Sequence, residues 1–280
     1  ATGTELSLNK ALDVRAVVKD TITVQGASDL RILSVISEYD SVSHGQSGIA
    51  VNVRVRNNGG TTALLDELSL QFSRGTYTNT SITFGTPVSI TSGGTYTHLF
   101  NNVTVDPSPN ATGTSPVNAS LVARDSVSND TLTVSNADTT HSWRVVEPSS
   151  LVYSAGYLTP LRLTSGQQVP FVLRLFNQGQ ANAYILPDSS ILGLDTLNIS
   201  FRDTTLIRGG NSGYINFDTT AVGLAPSIYT PTFTYDYQEN RAIYRDSSVT
   251  ITDDVQVDGT ITIDTVSTSY PLLISRGDTL

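Results

Sequence analysis

Three carboxylates lie close together near the end of the sequence, at Asp253, Asp254 and Asp258, the last of them directly before Gly259. Carboxylate oxygens on a glycine-containing loop are ligands that Ca²⁺ prefers. The spacing D-D-x-x-x-D-G differs from the D-x-D-x-D-G of an EF-hand loop. A calcium site is therefore one interpretation, and solvated turn carboxylates between two strands are the interpretation that the spacing favours. We expect no other cofactor.

Aromatic side chains alternate along one segment, at Phe233, Tyr235 and Tyr237. Alternation by two residues places all three rings on one face of a strand. Flat rings stack on sugars, so this face is a candidate carbohydrate platform, and packing in a hydrophobic core is the alternative that we favour. The first interpretation would make the chain a carbohydrate-binding accessory module of a secreted protein.

Acceptor sequences for N-glycosylation, of the form N-x-S/T, are slightly more frequent than this composition produces by chance. They are found at Asn79, Asn102, Asn110, Asn118, Asn129 and Asn198. Four of them, from Asn102 to Asn129, crowd one stretch of the chain. That stretch would be a glycan-bearing face if the source cell glycosylates asparagine.

Catalytic chemistry has little support in the sequence. The histidines, His44, His98 and His141, are far apart, and no metalloprotease, nucleophile-elbow or phosphate-loop motif occurs. The chain also has no cysteine, which excludes disulfides and thiol chemistry. We therefore expect no enzymatic activity.

The elements that must carry these residues have the pattern of β-strands. The segment from Ile49 to Arg56 reads I-A-V-N-V-R-V-R, which places β-branched side chains on one face. Turn-forming pairs such as Gly93-Gly94 and Asp258-Gly259 separate segments of this kind. Residues 10–19 and 187–195 are the two stretches that could hold a helical turn. Many short strands with regular turns predict an all-β sandwich fold.

An internal repeat divides the chain into two similar parts. The shared features are a strand start, a Gly-Gln pair and an N-x-G motif, at an offset of 121 residues that shortens to 120. They fall at Leu30, Gly45-Gln46 and Asn57 to Gly59 in the first part, and at Leu151, Gly166-Gln167 and Asn177 to Gly179 in the second. We predict that the glycine of the N-x-G motif supplies a positive φ for a hairpin or a bulge. A larger offset further on predicts an insertion within 185–194 of the second copy.

The same residues carry a resemblance to a known family. The pattern D-L-x-I-x-S-V, then V-x-x-G-Q, then V-x-V-x-V-x-N-x-G-x-x-x-A falls on Asp29 to Val35, Val42 to Gln46 and Val51 to Ala63. It resembles the immunoglobulin-like, CARDB-type repeat domains of large bacterial and archaeal cell-surface proteins, over the first half of each copy. The resemblance implies two tandem immunoglobulin-like antiparallel β-sandwiches and a cell-surface location, and it implies no chemistry.

The predicted organisation has an N-terminal strand or linker segment, 1–27, followed by sandwiches at 28–147 and 148–280. We expect Trp143 to be an inter-domain plug, next to Pro148 of the linker. The terminal segments have the phase of linker strands. The chain is therefore either a piece of a longer array or a subunit whose terminal strands pair with a neighbour. The alternative to such docking is that the N-terminal strand packs within its own domain. The apolar side chains expected to take part in this assembly are Leu12, Val14, Val17, Ile22, Val24, Leu272 and Ile274.

Composition limits the partners. The net charge of −9 argues against a nucleic-acid partner, and no apolar run approaches the length of a membrane span. An acidic, lysine-poor chain of this kind is typical of extracellular proteins. We expect an extracellular structural or adhesive protein, a repeat module or subunit of a surface filament, sheath or adhesin. Its partners would be other copies of itself or adjacent repeats, and glycans are a further candidate.

Overall fold

The computed structural model describes residues 2–5, 10–13, 24–108 and 112–259. Over these residues the chain is all-β, with strands and turns and no helix. Strands β1 (Thr2–Glu5) and β2 (Lys10–Asp13) pair with each other as an antiparallel hairpin. The helical turn expected within 10–19 is therefore wrong for Lys10–Asp13.

The first sandwich is built from the strands between residues 30 and 146. They are β3 (Leu30–Ser37), β4 (Ser41–Ser43), β5 (Ile49–Asn57), β6 (Ala63–Phe72), β7 (Tyr77–Thr78), β8 (Ser81–Ile90), β9 (Thr95–Val105), β10 (Gly113–Asp125), β11 (Thr131–Ser135) and β12 (His141–Val146).

Two sheets face each other in this sandwich. One has the order β3-β5-β9-β7, and the other has the order β4-β12-β10-β6-β8 with β11 also paired to β10. The short β4 lies parallel to β12, while the other pairs are antiparallel. The chain thus crosses between the two sheets in the Greek-key manner of immunoglobulin domains. The early strands divide between them, because β3 belongs to one sheet and β4 pairs with β12 in the other. The predicted fold class is confirmed.

Alternation in β5 shows why these residues form a sandwich. Ile49, Val51, Val53 and Val55 are fully buried, whereas the residues between them face outward or lie at the rim. Burial of each such side chain contributes about 1.5–3 kcal/mol. The same buried cluster includes side chains from both sheets, so the core lies between the sheets.

The second sandwich is built from the strands between residues 151 and 258. They are β13 (Leu151–Thr159), β14 (Arg162–Thr164), β15 (Gln168–Val169), β16 (Val172–Asn177), β17 (Ala183–Leu194), β18 (Leu197–Ile199), β19 (Thr205–Ile207), β20 (Ser212–Asn216), β21 (Thr220–Ala221), β22 (Ser227–Tyr229), β23 (Thr232–Glu239), β24 (Ala242–Thr250) and β25 (Val255–Asp258).

The strand order of the second sandwich follows that of the first. The sheet β13-β16-β20 corresponds to β3-β5-β9, and β14 lies parallel to β25 as β4 does to β12. Strand β17 pairs with β23, β18 and β19, and its register with β23 shifts between Leu186 and Ile191. The extra residues of that shift lie within the predicted insertion. The helical turn expected at 187–195 is wrong, because residues up to Leu194 belong to β17.

A buried asparagine closes the same corner of both sandwiches. The amide nitrogen of Asn57 donates to the carbonyls of Thr61 (2.7 Å) and Ile90 (2.9 Å), and its Oδ1 accepts from the backbone N–H groups of Asp29 (3.1 Å) and Gly59 (3.0 Å). One side chain therefore satisfies main-chain groups from several segments, which would otherwise be buried without partners.

Asn177 makes the equivalent bonds in the second sandwich. Its amide nitrogen donates to the carbonyls of Ala181 (2.8 Å) and Ile207 (3.2 Å), and its Oδ1 accepts from the N–H groups of Ser150 (3.0 Å) and Gly179 (3.0 Å). Both asparagines are fully buried. The N-x-G motif of the repeat is therefore the signature of this corner.

The glycine of the motif has a different role from the one predicted. Gly59 and Gly179 are not among the residues with positive φ. A Cβ at Gly59 would lie 2.2 Å from the carbonyl oxygen of Ala27, and one at Gly179 would lie 1.9 Å from that of Pro148. The glycine is needed because the chain entering each sandwich passes against it, so the predicted hairpin or bulge role is wrong.

Candidate functional site

The joint between the two sandwiches concentrates buried polar side chains. The tip of the β23–β24 hairpin, Asn240-Arg241, meets the turn between β4 and β5, which contains Gly45-Gln46. Asn240 and Arg241 have φ values of 44° and 68°, between the paired residues Glu239 and Ala242. Positive φ at both central residues is the geometry of a two-residue type I′ hairpin loop.

Glu239 is the centre of this joint. It is fully buried at the end of β23, and its carboxylate accepts hydrogen bonds from the hydroxyl of Ser43 in the first sandwich and from the N–H (2.6 Å) and hydroxyl of Ser149 in its own. The amide nitrogen of Asn240 donates to Ser43 Oγ at 2.6 Å, and Gln46 Nε2 donates to the Asn240 carbonyl at 3.0 Å. Hydrogen bonds to a buried charged group are stronger than those between neutral groups.

Two further contacts between ionisable side chains accompany these bonds. Arg241 donates to Glu38 at 2.8 Å, with both side chains exposed, and His44 Nδ1 lies 3.4 Å from a Glu147 carboxylate oxygen. An exposed ion pair such as that of Arg241 with Glu38 contributes about 0–1 kcal/mol. The relative position of the sandwiches therefore depends on the buried bonds of Glu239, Ser43 and Gln46.

The Gly-Gln turn is the half of the joint that the first sandwich provides. The same turn recurs at the far end of the second sandwich. Gly45 and Gly166 both have positive φ, at 74° and 83°. Gln46 Oε1 accepts from the N–H of Ser43 at 2.9 Å, and Gln167 Oε1 accepts from the N–H of Thr164 at 2.9 Å. The surroundings differ, because Gln46 is 3% exposed under the second sandwich whereas Gln167 is exposed.

One element of the other half of the joint, the acid that ends the hairpin strand, recurs at the outer end of the first sandwich before a longer loop. Asp125 ends β10 as Glu239 ends β23, and it accepts from the N–H of Ser28 at 2.7 Å as Glu239 does from Ser149. The Thr61 hydroxyl, followed by the backbone N–H groups of Ser128, Ser28 and Val127, holds the pKa of Asp125 well below its usual value. Val127, in the β10–β11 loop, is 76% exposed.

Sequence reasoning missed Ser43, Glu239 and Asn240. Their signal was present in the repeat, because Ser28 and Ser149 occupy equivalent positions and an acid ends the strand before each hairpin loop. The Gly-Gln pairs were recognised as turns, but their side-chain partners are distant in sequence. The contact between Ser43 and Glu239 spans 196 residues.

The structure does not bring the predicted calcium ligands together. Asp253 accepts from the hydroxyl of Tyr153 at 2.5 Å, Asp254 accepts from the hydroxyl of Thr230 at 2.8 Å, and Asp258 pairs with Arg162 at 2.6 Å. Among the residues that the structure describes, no group of three His, Cys, Asp or Glu is placed to hold a metal ion.

Trp143 is a core residue of the first sandwich and not an inter-domain plug. It is 1% exposed, its ring centroid lies 5.7 Å from that of Phe72, and its Nε1 donates to the hydroxyl of Tyr77 at 3.2 Å. Trp143 is buried because its side chain lies on the inward face of β12, within the core of the first sandwich. Pro148 is an exposed linker residue, and its carbonyl lies against Gly179.

The aromatic strand is part of the second core. Phe233 is fully buried and Tyr235 is 5% exposed, and their rings stack with centroids 5.2 Å apart. Tyr237 is half-buried and stacks on Tyr244 at 4.9 Å. The interpretation of these rings as a carbohydrate platform is wrong, because the face on which they alternate is turned inward.

The candidate glycosylation sites do not form one face. Asn102 lies in β9 of one sheet and Asn118 in β10 of the opposite sheet, while Asn129 lies in the hairpin loop at the outer end. Asn118 is half-buried and donates to Asn136 at 2.8 Å. Asn79 and Asn198 are exposed, and Asn110 lies outside the described residues.

The predicted assembly residues fall mostly outside the described part. Leu12 is opposite Gly3 in the β1–β2 hairpin, and Val24 is 89% exposed. The others, Val14, Val17, Ile22, Leu272 and Ile274, lie outside the described residues. Over the described ranges, no helix is long and apolar enough to cross a membrane.

Comparisons with known proteins add little to this geometry. No family model matches the chain, and no curated protein matches it. Among solved structures, a Porphyromonas gingivalis W83 protein of unknown function is similar at 11% identity, over 84% of this chain and all of that one, with a TM-score of 0.26.

Two further solved structures have the same level of likeness. The titin I-band fragment I67-I69 is 13% identical over 85% of this chain and 67% of that one, with a TM-score of 0.29. The D0-D1 domain of intimin is 8% identical over 83% and 99% of the two chains, with a TM-score of 0.19. Likeness of this degree carries no argument about function, and the immunoglobulin-like architecture follows from the strand order of the chain itself.

Proposed function

We propose that this chain is a non-enzymatic structural module of the extracellular surface, which assembles end to end with other copies of itself or with like repeats. The observation that carries the proposal is the joint. The Gly-Gln turn of one half recurs at the outer end of the second sandwich, and the acid that ends the hairpin strand of the other half recurs as Asp125 at the outer end of the first, before a longer loop. Surfaces that are complementary inside one chain can meet again between chains, as a head-to-tail interface does.

The exposure of the outer parts supports the same conclusion. Gln167 is exposed where Gln46 is buried, and Val127 is an exposed apolar side chain two residues after Asp125, as Arg241 is two residues after Glu239. This route differs from strand addition by terminal segments, because it uses the ends of the sandwiches and not unpaired strand edges. An extracellular location is supported by the acidic, lysine-poor and cysteine-free composition.

Cysteine cross-linking tests the interface directly, since the chain has no cysteine of its own. Asn240 contacts Gln46 across the joint. The corresponding positions are Gln167 in the second Gly-Gln turn and Ser126, which follows Asp125 as Asn240 follows Glu239. We expect the double variant Ser126→Cys, Gln167→Cys to form a ladder of disulfide-linked oligomers under mild oxidation. Disulfides need Cα atoms about 4.4–6.8 Å apart, so only a matching interface would produce them efficiently.

The matched control is Ser126→Cys, Tyr214→Cys, in which the second cysteine lies on the exposed side of β20. It should give no ladder beyond random collision products. Equal ladders from the two variants, or monomers from both at high protein concentration, would contradict the proposed assembly. Deletion of residues 1–25 then separates the two routes, because end docking survives it and strand addition from that segment does not.

A further inference from the structure

A cleft of about 380 Å³ lies beside the joint. It is lined by the β3–β4 corner of the first sandwich and by β17 and the β23–β24 hairpin of the second. Tyrosine, carboxylate and amide side chains share its walls: Tyr39, Asp40, Asn182, Tyr184 and Gln238. Sites for small ligands have volumes of about 300–1,000 Å³ and are frequent between domains. We propose that this cleft binds a neutral oligosaccharide.

One wall is an ordered surface of the second sandwich. Tyr184 in β17 is directly opposite Gln238 in β23, so the two side chains are neighbours on one face of the sheet. Ala183 is fully buried on the other face, and Tyr184 is 39% exposed. Asn182 precedes Tyr184 by two residues, and all three side chains line the cleft. The Tyr184 ring and the Gln238 amide are thus held by paired strands, and Asn182 directly precedes β17.

The opposite wall is held by contacts across the joint. The guanidinium of Arg241 lies 6.0 Å from the centre of the Tyr39 ring and donates to Glu38. The Tyr39 carbonyl accepts a hydrogen bond from His141 Nε2 at 2.7 Å. Two tyrosines therefore stand on opposite walls, and the joint fixes the space between them.

The polar groups of the cleft match the chemistry of a sugar. Among the described residues, the Asp40 carboxylate, the Gln238 amide and the Tyr39 and Tyr184 hydroxyls have no side-chain hydrogen bond. A pyranose presents adjacent hydroxyls. A carboxylate can accept hydrogen bonds from two of them, and an amide can accept from one and donate to another. Its C–H face packs against an aromatic ring, as other apolar surfaces do.

The charge of the cleft distinguishes neutral sugars from acidic ones. Glu38 and Arg241 form an ion pair, which leaves the carboxylate of Asp40 as the uncompensated charge of the cleft. The chain as a whole carries −9. Sialylated and uronic-acid sugars would be repelled, whereas neutral sugars would not. The inference stands apart from end-to-end assembly, because none of the cleft residues lies at the outer ends.

Binding to an array of immobilised neutral gluco-, galacto-, manno- and N-acetylglucosamine oligosaccharides, followed by calorimetric titration with the best of them, tests the proposal. We expect at least one to bind, and we expect Tyr184→Ala and Asp40→Ala each to weaken binding by about tenfold or more. The matched control Tyr214→Ala removes a tyrosine that is 57% exposed away from the cleft, and it should leave affinity within about twofold.

Three outcomes would overturn the inference. In the first, no member of the array binds at about 10 mM. In the second, a sugar binds and both cleft variants leave its affinity unchanged. In the third, sialylated sugars bind as tightly as neutral ones. Circular dichroism of each variant establishes that it is folded. The cross-linking ladder of Ser126→Cys, Gln167→Cys should persist when Tyr184 is replaced, so failure of sugar binding and failure of assembly are separate results.

Discussion

Glu239, fully buried at the end of β23, accepts a hydrogen bond across the joint from the hydroxyl of Ser43 in β4. The same carboxylate accepts from Ser149 at the start of its own sandwich. A single charged group thus joins the first sandwich, the linker and the second sandwich. The linker alone, four residues between β12 and β13, would leave their orientation free.

Replacement of Ser43 by alanine should loosen the joint without unfolding either sandwich. It removes one donor from a buried carboxylate, which costs about 1–3 kcal/mol of docking free energy. We expect a broader distribution of interdomain distances in small-angle X-ray scattering. The control Ser41→Ala removes a hydroxyl of the same strand that donates within the first sandwich, and it should leave the scattering unchanged. An unchanged distribution of interdomain distances in Ser43→Ala would show that other contacts hold the joint.

The buried asparagines should stabilise their sandwiches separately. Asn57→Ala leaves several main-chain groups unpartnered and should lower the free energy of unfolding of the first sandwich by about 3 kcal/mol or more. Trp143, the single tryptophan, lies in that core, so its fluorescence reports this transition in urea.

Asn177→Ala should leave the Trp143 transition nearly unchanged and should shift the remaining transition seen by circular dichroism. The control Asn52→Ala changes an exposed asparagine of β5, and its effect should stay within about 0.5 kcal/mol. Equal effects of Asn52 and Asn57 on the fluorescence transition would show that the buried corner has no special role.

Acid should weaken the first sandwich through Asp125. Its pKa is lowered in the folded chain from 3.8, chiefly by the Thr61 hydroxyl and by backbone N–H groups. The stabilisation is therefore present above the unfolded pKa and is lost as the pH falls below it. The urea midpoint of unfolding, followed by Trp143 fluorescence, should depend less on pH in Asp125→Asn than in the unchanged protein from about pH 4 downward. An equal pH dependence of this midpoint in the two proteins would contradict the assignment of the effect to Asp125.

Alkali should weaken the second sandwich through Tyr235. Burial, with a smaller effect of Tyr237, raises the pKa of Tyr235 to about 12 from 10.0. Stability is therefore complete below the unfolded pKa and is lost as the pH rises from about 10 toward 12. Tyr235→Phe should move the alkaline midpoint of unfolding upward in circular dichroism, and Tyr214→Phe, an exposed control, should not. A midpoint that Tyr235→Phe leaves in place would contradict the argument.

Several features were predictable because they depend on local pattern. Alternation in β5 assigned its inward face, and the strand-rich pattern and repeat indicated an all-β sandwich architecture. Trp143 was misassigned because it lies beside the predicted linker, and position in the sequence does not show which core receives a side chain. Local pattern also gave Gly59 a turn conformation, whereas a close approach by Ala27 explains the glycine.

The sequence alone determined the sandwich class, the repeat and the positions of its Asn-x-Gly and Gly-Gln motifs, because short-range periodicity and backbone chemistry specify them. Only the tertiary structure decided what those motifs do. Ser43 contacts Glu239 at the joint, and Tyr39 lies across the cleft from Tyr184. In both cases the two residues are far apart in the chain. Such contacts depend on how two folded sandwiches meet, and no local pattern specifies that geometry.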